Sequence, residues 1–419
     1  MKRLSFLLVA CLWWVSLIAQ ETREGVPSIF LDCPWGCDMA FLRQEMTYVN
    51  FVRDRAVSDV FIQQTYLETG GGGLQSTLNF FGNRALKGRN DTLVYVIPPA
   101  ASESVQRDML KANLERGLLP YLLRTEMAER ITFSVKPLEV DENAPKKEPV
   151  KDPWNYWTLR VNSNMNASGQ EVAKNLSVNG GVSAQRITNA VKSRVFVNGS
   201  YNHSKFDFGD GDIEVYNQGG YSLGGSQIYS LSKRWSMGMF ANAGQSLYNN
   251  TQLSVLGLPV LEFNIFPYTE ATRRLLTIQY GVGARYNQYF NETIYFKNSE
   301  WLGVQNIGAY YSQVLTWGSF NTGVGYGNYL QDWNLNEINF STGIELNLFK
   351  GFNFSLWGSY DVVHNQIELP GNGASKEEAL LAIRQLQTGY NYYMWCGISY
   401  TFGSIYSNVV NPRLDNRLF

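Results

Sequence analysis

The sequence predicts a mainly β protein: about twelve antiparallel strands that form an up-and-down transmembrane barrel, preceded by a small α/β domain. Two observations support this fold class. From Trp154 onward, apolar and polar residues alternate with period two over stretches of about 11 to 16 residues, which exceed usual soluble strands and match a tilted membrane span. The number of these stretches is even, as bacterial barrels require.

The alternation is clearest over residues 337–348. Ile338 and Phe340 begin an apolar series at even positions, whereas Glu337 and Asn339 begin a polar series at odd positions. Because successive side chains of a strand point to opposite faces, such a strand offers one face to lipid and one to a polar interior. The same alternation recurs over residues 157–167 and 276–287.

The lengths of the connections between the predicted strands also favour a barrel. In outer-membrane barrels, short turns lie in the periplasm and long loops lie outside. The start of the first strand and the end of the last strand would therefore both lie on the periplasmic side. A helix is predicted at Ser375–Gln387, within the longest loop. Short turns are predicted at Ser232–Arg234, Gly318–Ser319 and Phe349–Gly351, and long loops at Asp207–Gln218, Phe290–Glu300 and His364–Thr388.

Composition narrows the functional classes. The 35 Lys and Arg residues nearly balance the 36 Asp and Glu residues, so the charge gives no argument for a nucleic-acid partner. Aromatic residues reach 14%, with 25 tyrosines and 38 glycines, while the mean hydropathy is only −0.22. Alternating lipid-facing and interior positions produce this combination. Beyond the N-terminus, no stretch is long and apolar enough for a transmembrane helix.

The N-terminus has the pattern of an export signal. Lys2 and Arg3 stand at the start of the sequence, and an apolar run follows from Phe6 to Ala19. This run is too short for a stable membrane span, so residues up to Ala19 are predicted to be a cleaved signal peptide. A lipoprotein signal ending at Cys11 is the alternative, but the apolar run continues well past that cysteine.

Residues 20–138 have a different pattern and predict a small α/β domain. Its elements follow the order β-α-β-β-β-α, with helices over Asp38–Val52 and Ser102–Leu123. Ser102 is the predicted N-cap of the second helix. The glycine run Gly70–Gly73 precedes a strand rather than a helix and lacks the lysine of a phosphate-binding loop, so it predicts a hairpin turn.

A charged, proline-containing stretch separates this domain from the alternating strands. It has no apolar periodicity and therefore predicts a linker. The predicted divisions are a signal peptide 1–19, a periplasmic α/β domain 20–138, a linker 139–153, an outer-membrane barrel 154–403 and a periplasmic tail 404–419.

The cysteines predict a disulfide rather than a metal site. Cys33 and Cys37 bracket a three-residue loop, and an exported protein meets an oxidising compartment, so these two cysteines are predicted to pair. Cys396 would then remain free. The chain has only two histidines, both far from these thiols, and two lone thiols make a poor zinc site. No metal and no cofactor are predicted.

Charged residues on the predicted inner face are the candidate functional residues. Both signs occur, and two interpretations remain open. The residues could set a transverse field in a selective channel. Alternatively, salt bridges and aromatic packing, with Phe240 and Tyr310 among the inward rings, could close the interior. The candidates are Arg160, Arg194, Glu262, Arg285, Glu337, Glu345 and Asp361.

The histidines raise a hydrolase alternative, of a phospholipase or protease type. His203 and His364 fall at the predicted outer ends of strands, near the extracellular rim. A barrel phospholipase needs its serine two residues after the histidine, whereas Ser204 follows His203 directly and therefore points to the opposite face. The prediction is that the protein is not an enzyme.

The last predicted strand carries the sequence Gly397-Ile398-Ser399-Tyr400-Thr401-Phe402. This sequence resembles the assembly signal of outer-membrane barrels, a glycine followed by alternate aromatic or apolar residues. A tail follows it here, whereas many barrels end at the signal. The Ala19–Gln20 junction and the tailed barrel are similar to those of outer-membrane proteins of the Bacteroidota. The resemblance covers residues 154–402, is to a broad class, and implies outer-membrane lipid and the barrel-assembly machinery as partners.

Two non-catalytic functions are predicted. The barrel would act either as a narrow channel or as an envelope scaffold. A pore alone does not need an additional α/β domain, so residues 20–138 are predicted to engage a periplasmic protein partner.

Overall fold

A computed structural model of the chain describes residues 25–33, 37–132, 152–209, 211–349, 351–373 and 385–402. The predicted signal peptide, nearly all of the predicted linker and the predicted tail lie outside these residues. Most of the helix predicted in the longest loop also lies outside them, and its last three residues, 385–387, have no regular structure. The described residues form one sheet of five strands and one of twelve.

The five-stranded sheet and its helices form the N-terminal α/β domain. The elements are β1 (Ser28–Asp32), α1 (Met39–Glu45), β2 (Asn50–Phe51), β3 (Val60–Glu68), β4 (Leu74–Gly82), β5 (Asn90–Ile97) and α2 (Glu103–Leu122). The strand order is β2-β1-β3-β4-β5. Strand β1 pairs in parallel with β2 and β3, and the other pairs are antiparallel.

The glycine run Gly70–Gly73 forms the turn between β3 and β4, as its position before a strand predicts. Gly72 has a φ of +76°, in the left-handed region that glycine adopts without steric cost. The turn is closed by a hydrogen bond from the Thr69 amide to the Gly73 carbonyl, at 2.8 Å.

Helix α2 covers one face of the five-stranded sheet. Its predicted N-cap is confirmed, because the Ser102 hydroxyl accepts a hydrogen bond from the Val105 amide at 3.4 Å. Leu114 and Leu118 are fully buried on the side that faces the sheet, next to Phe80 of β4. Within the described residues, no helix combines the length and the hydropathy of a membrane span.

Helix α1 ends at Glu45, so the prediction of one helix from Asp38 to Val52 was wrong. Instead, the short strand β2 pairs in parallel with β1 and adds a strand to the predicted order. Val49 and Val52 are buried, as the predicted helix requires, although both lie beyond its end. Burial at helical spacing therefore could not reveal where the helix stopped.

The twelve-stranded sheet is antiparallel and up-and-down, so the predicted fold class and strand number are confirmed. Each strand pairs with its neighbours in sequence, and β6 and β17 lie at the two edges of the sheet. The strands are β6 (Trp157–Gly169), β7 (Ala173–Ile187), β8 (Val191–Asp207), β9 (Ile213–Ser230), β10 (Trp235–Ser246), β11 (Thr251–Asn264), β12 (Arg274–Tyr289), β13 (Ser299–Leu315), β14 (Gly318–Tyr329), β15 (Asp332–Phe349), β16 (Phe352–Val363) and β17 (Tyr390–Tyr400).

The sheet is rolled around an interior. Ser222 of β9 and Asn391 of β17 line the same cavity, although their strands are far apart in the sheet order. We call the end of the barrel where β6 begins the linker end. The opposite end, which carries the connection 364–389 between β16 and β17, is called the loop end.

The hairpin of β8 and β9 extends further than the alternation indicates. Pairing continues to Asp207 and Ile213, so the long loop predicted at Asp207–Gln218 was wrong and the connection is 208–212. The rings of Phe206 and Tyr216 pack with centroids 6.1 Å apart in the added part. The closely spaced glycines and aspartates of residues 207–212 indicate a loop but do not show that β9 begins directly after them.

Candidate functional site

The strand register places the predicted interior charges on the inner face of the barrel. Arg285 and Glu337 line the interior cavities directly. Glu262 and Asp361 pair with cavity-lining residues of the adjacent strands. Paired residues of neighbouring strands share a face, so these four side chains belong to the interior.

The remaining three predicted charges follow from the same parity. Arg160 is two residues before Asn162, and Arg194 is four residues before Asn198; both asparagines line an interior cavity. Glu345 is an even number of residues from cavity-lining positions of β15. Side chains two or four residues apart on a strand share one face.

The seven charges form two groups at opposite ends of the barrel. The linker-end group is Arg160, Arg194, Glu262 and Glu345, and the loop-end group is Arg285, Glu337 and Asp361. At the linker end, the cations lie on the first and third strands and the carboxylates on the sixth and tenth. Within the residues described, none of the seven has an ion-pair partner within 4.0 Å, so salt bridges do not close the interior there.

A short part of the longest loop lies inside the loop end instead. We call Asn365–Leu369 the inner segment. Its Ile367 is only 2% exposed and packs in a cluster with Leu302, Val304 and Tyr329, which lie on the inner faces of β13 and β14. An apolar side chain buried among inward residues places this part of the loop inside the barrel.

Hydrogen bonds hold the inner segment to the barrel wall. The Asn365 amide group donates to the Glu337 carboxylate at 2.8 Å, so one predicted interior charge anchors the segment. The Asn250 side chain donates to the Glu368 carbonyl at 2.9 Å, and the Ile294 amide donates to the Leu369 carbonyl at 2.8 Å. Because these partners belong to different hairpins, the segment is tied to several sides of the opening.

The inner segment lies between two of the interior cavities. One has a volume of about 640 Å³ and extends towards the middle of the barrel, where Phe240 and Tyr310 line it. The other, of about 850 Å³, opens towards the loops. Arg285, Glu337 and Asn365 line both cavities, so they mark the constriction between them.

Polar groups beside the constriction are buried and only partly satisfied. Burial raises the pKa of Glu368, and the nearby Arg285 guanidinium opposes this shift. The Arg285 Nε and the Asn287 Oδ1 are buried without a hydrogen-bond partner in the described structure, and both residues line the larger cavity. Buried polar atoms of this kind are costly unless water or a solute satisfies them.

The inner segment was missed by the sequence reasoning. The signal that could have found it is the alternation of Ile367 and Leu369 with Gln366 and Glu368 inside a predicted loop. In a fully exposed loop, alternation buries no apolar side chain. A segment that packs against a wall, in contrast, buries every second residue.

The hydrolase alternative has no support in the geometry of the histidines. His203 Nδ1 lies 2.8 Å from the Asn217 Oδ1, and His364 Nδ1 lies 3.4 Å from the Asn336 Oδ1. In the described part of the chain, both ring contacts are with asparagine amides rather than with a catalytic serine or carboxylate. These two histidines lie at different hairpins of the loop end.

The cysteines are arranged as the sequence predicts. Cys33 and Cys37 form a disulfide with Cα atoms 6.0 Å apart, at the end of β1. Cys396 is a free, exposed cysteine on β17. Within the described ranges, no cluster of three or more His, Cys, Asp or Glu side chains is arranged to hold a metal.

Comparison with known proteins gives little further information. No protein-family model matches the chain. No curated protein matches it either. Among solved structures, NanC porin in a rhombohedral crystal form aligns with 58% of this chain and 99% of its own, at 8% identity and a TM-score of 0.26.

Proposed function

We propose that the protein is an outer-membrane β-barrel that forms a narrow channel, constricted by the inner segment. The observation that carries this proposal is the difference between the two faces of the rolled sheet. On the outer face, Val161 is 78% exposed and Met165 is 73% exposed. Such a continuous apolar surface suits hydrocarbon, whereas the inner face is polar and lines cavities.

Aromatic residues at the strand ends support a membrane setting. Trp157 begins β6 and Trp301 lies near the start of β13, and both are exposed on the outer face. Tryptophan at strand ends is typical of the girdles at the two membrane interfaces. Strand edges in hydrocarbon would leave backbone groups unpaired, so a membrane setting requires β6 and β17 to close the barrel.

The proposed orientation follows from the connections. The loop end, which carries the longest connection, would face the outside, and the N-terminal domain and the tail would lie in the periplasm. Outer-membrane lipid and the barrel-assembly machinery are the partners that this placement implies. A periplasmic protein that binds residues 20–138 remains part of the proposal, as does a non-catalytic role.

Conductance in planar bilayers tests the channel. The double variant Ile367→Ser/Leu369→Ser removes the two buried anchors of the inner segment. We expect its conductance to rise by roughly twofold or more over the parent chain, because the constriction loosens. Phe296→Ser is the matched control, since this phenylalanine is exposed in a neighbouring loop and its loss should leave the conductance unchanged.

Ion selectivity gives a second measurement on the same channel. Arg285→Gln removes the cation at the constriction and should shift the permeability ratio towards cations. If neither the parent chain nor the Ile367→Ser/Leu369→Ser variant conducts ions, the proposal of a channel is wrong. The envelope scaffold then becomes the better interpretation.

A further inference from the structure

The glycine turn between β3 and β4 contacts the barrel at its linker end. The Gly70 carbonyl accepts hydrogen bonds from the Thr158 hydroxyl at 3.2 Å and from the Gln185 side chain at 3.5 Å. A Cβ atom on Gly70 would lie 2.8 Å from the Cβ of Ile187, so only glycine allows this approach. The turn therefore lies against the first two strands of the barrel, β6 and β7.

The same domain also contacts the barrel at a distant part of the sheet. The Gln63 side chain donates to the Leu315 carbonyl at 2.9 Å, and the Arg55 guanidinium donates to the Thr316 carbonyl. These carbonyls belong to the turn between β13 and β14 at the linker end. Burial raises the pKa of Asp32, and the nearby Glu345 carboxylate of β15 raises it further.

The two sets of contacts lie on different sides of the opening. Strands β6 and β7 are the first and second of the twelve, whereas β13, β14 and β15 are the eighth, ninth and tenth. In a rolled sheet these positions are separated by the width of the opening. The domain therefore extends across the linker-end mouth rather than beside it.

The face of the domain that meets the mouth is the one opposite α1 and α2. Register places Asp32 opposite Gln63 in β1 and β3, on the side of the sheet away from Leu78 and α2. Gln63 is buried even though, among the described residues, neither α1 nor α2 covers this side. A polar residue buried on an uncovered face needs a covering partner, and here its hydrogen-bond acceptor is the barrel.

We propose that the N-terminal domain is a lid that covers the linker-end mouth, and that passage requires its displacement. This inference rests on the proposed channel function. The described contacts are mainly hydrogen bonds, each of which contributes little net free energy, so the lid can leave its seat. The covalent connection keeps the lid at a high effective concentration, so it returns readily.

A reversible cross-link tests the seat. Gly71 is next to Gly70 in the docked turn, and a Cβ atom there meets nothing within 4 Å, so a cysteine at this position leaves the contact of Gly70 with Ile187 intact. Gly71→Cys and Ile187→Cys, in a Cys396→Ser background, should therefore be joined in the full-length chain by a short bifunctional methanethiosulfonate, whose bonds a reductant breaks. Ser104→Cys with Ile187→Cys is the matched control. Ser104 is exposed on α2, on the other side of the domain, so this pair should not cross-link.

Conductance of the cross-linked chain tests the lid. We expect low conductance while the Gly71→Cys/Ile187→Cys pair is cross-linked and an increase after reduction. The control pair receives the same reductant and corrects for loss of the native disulfide between Cys33 and Cys37. Failure of the first pair to cross-link, or a measurable conductance that is equal before and after reduction, would overturn the lid. Silence in every state, with the cross-link formed, would instead refute the channel and leave the seat established.

Discussion

At the residue scale, Asp32 carries an unfavourable charge in the contact between domain and barrel. Burial raises its pKa, and the nearby Glu345 carboxylate adds to this shift. The Arg55 guanidinium and a hydrogen bond from Gln63 oppose it. The ionised form is therefore disfavoured in the folded protein, and stability from this group is complete below the ordinary aspartate pKa and lost as the pH rises through the raised pKa.

Asp32→Asn should therefore stabilise the N-terminal domain at pH 7.5. The amide keeps an acceptor for Gln63 but carries no charge. For a domain of this size, each kcal/mol shifts the melting temperature by roughly 4 to 8 °C, so calorimetry can detect the gain. The gain should shrink as the pH falls and vanish below 3.8, the ordinary aspartate value. Glu68→Gln, at an exposed strand end, is the control that should change little; an equal gain from both variants would contradict the assignment.

At the scale of elements, the packing of α2 on β4 depends on a glycine inside a helix. A Cβ atom on Gly117 would lie 2.0 Å from the Phe80 ring, which is fully buried. Alanine normally stabilises a helix interior by about 1 kcal/mol relative to glycine. Here the close approach of helix and sheet reverses the sign, because the ring has no free space to move into.

Gly117→Ala should lower the free energy of unfolding of the N-terminal domain by about 1 to 3 kcal/mol in urea. The same change in a Phe80→Leu background should cost less, because the smaller side chain leaves room. Gly71→Ala is the control, since a Cβ atom there has nothing within 4 Å. Equal losses in the two backgrounds would show that the ring is not the cause.

The elements also show how much the sequence alone could predict. Strand number and the faces of the interior charges follow from period-two alternation, which is a local pattern and survives in any register. Alternation over Gln366–Leu369 could have indicated that the inner segment packs against a wall, but not against which one, because Ile367 is buried by residues of β13 and β14 that are distant in sequence. The seat of the lid is equally non-local, since Gly70 gives no sequence signal that distinguishes a free turn from a docked one.

At the scale of the whole molecule, both ends of the barrel are covered by parts of the same chain. The inner segment narrows the loop end, and the N-terminal domain extends across the linker end. A lumen closed by paired charges would be a fixed plug. Here Arg285 and Glu337 line the cavity that opens towards the loops, whereas the linker-end charges lie between the two covers, so that an ion or solute would meet the linker-end group only after passing the inner segment or displacing the domain.

The proposed topology predicts which parts of the chain a protease reaches in intact cells. Added trypsin should cut the loop end near 371–376, since Gly371 and Gly373 are exposed there, and should spare the N-terminal domain behind the membrane. Cleavage after Lys376 should disappear in Lys376→Gln, which identifies the site. Permeabilised cells are the control, because trypsin then reaches the periplasm and should cut the linker at Lys146 or Lys147. Loss of the N-terminal domain in intact cells would reverse the proposed orientation, and recovery of the whole protein in the soluble fraction would contradict the membrane location.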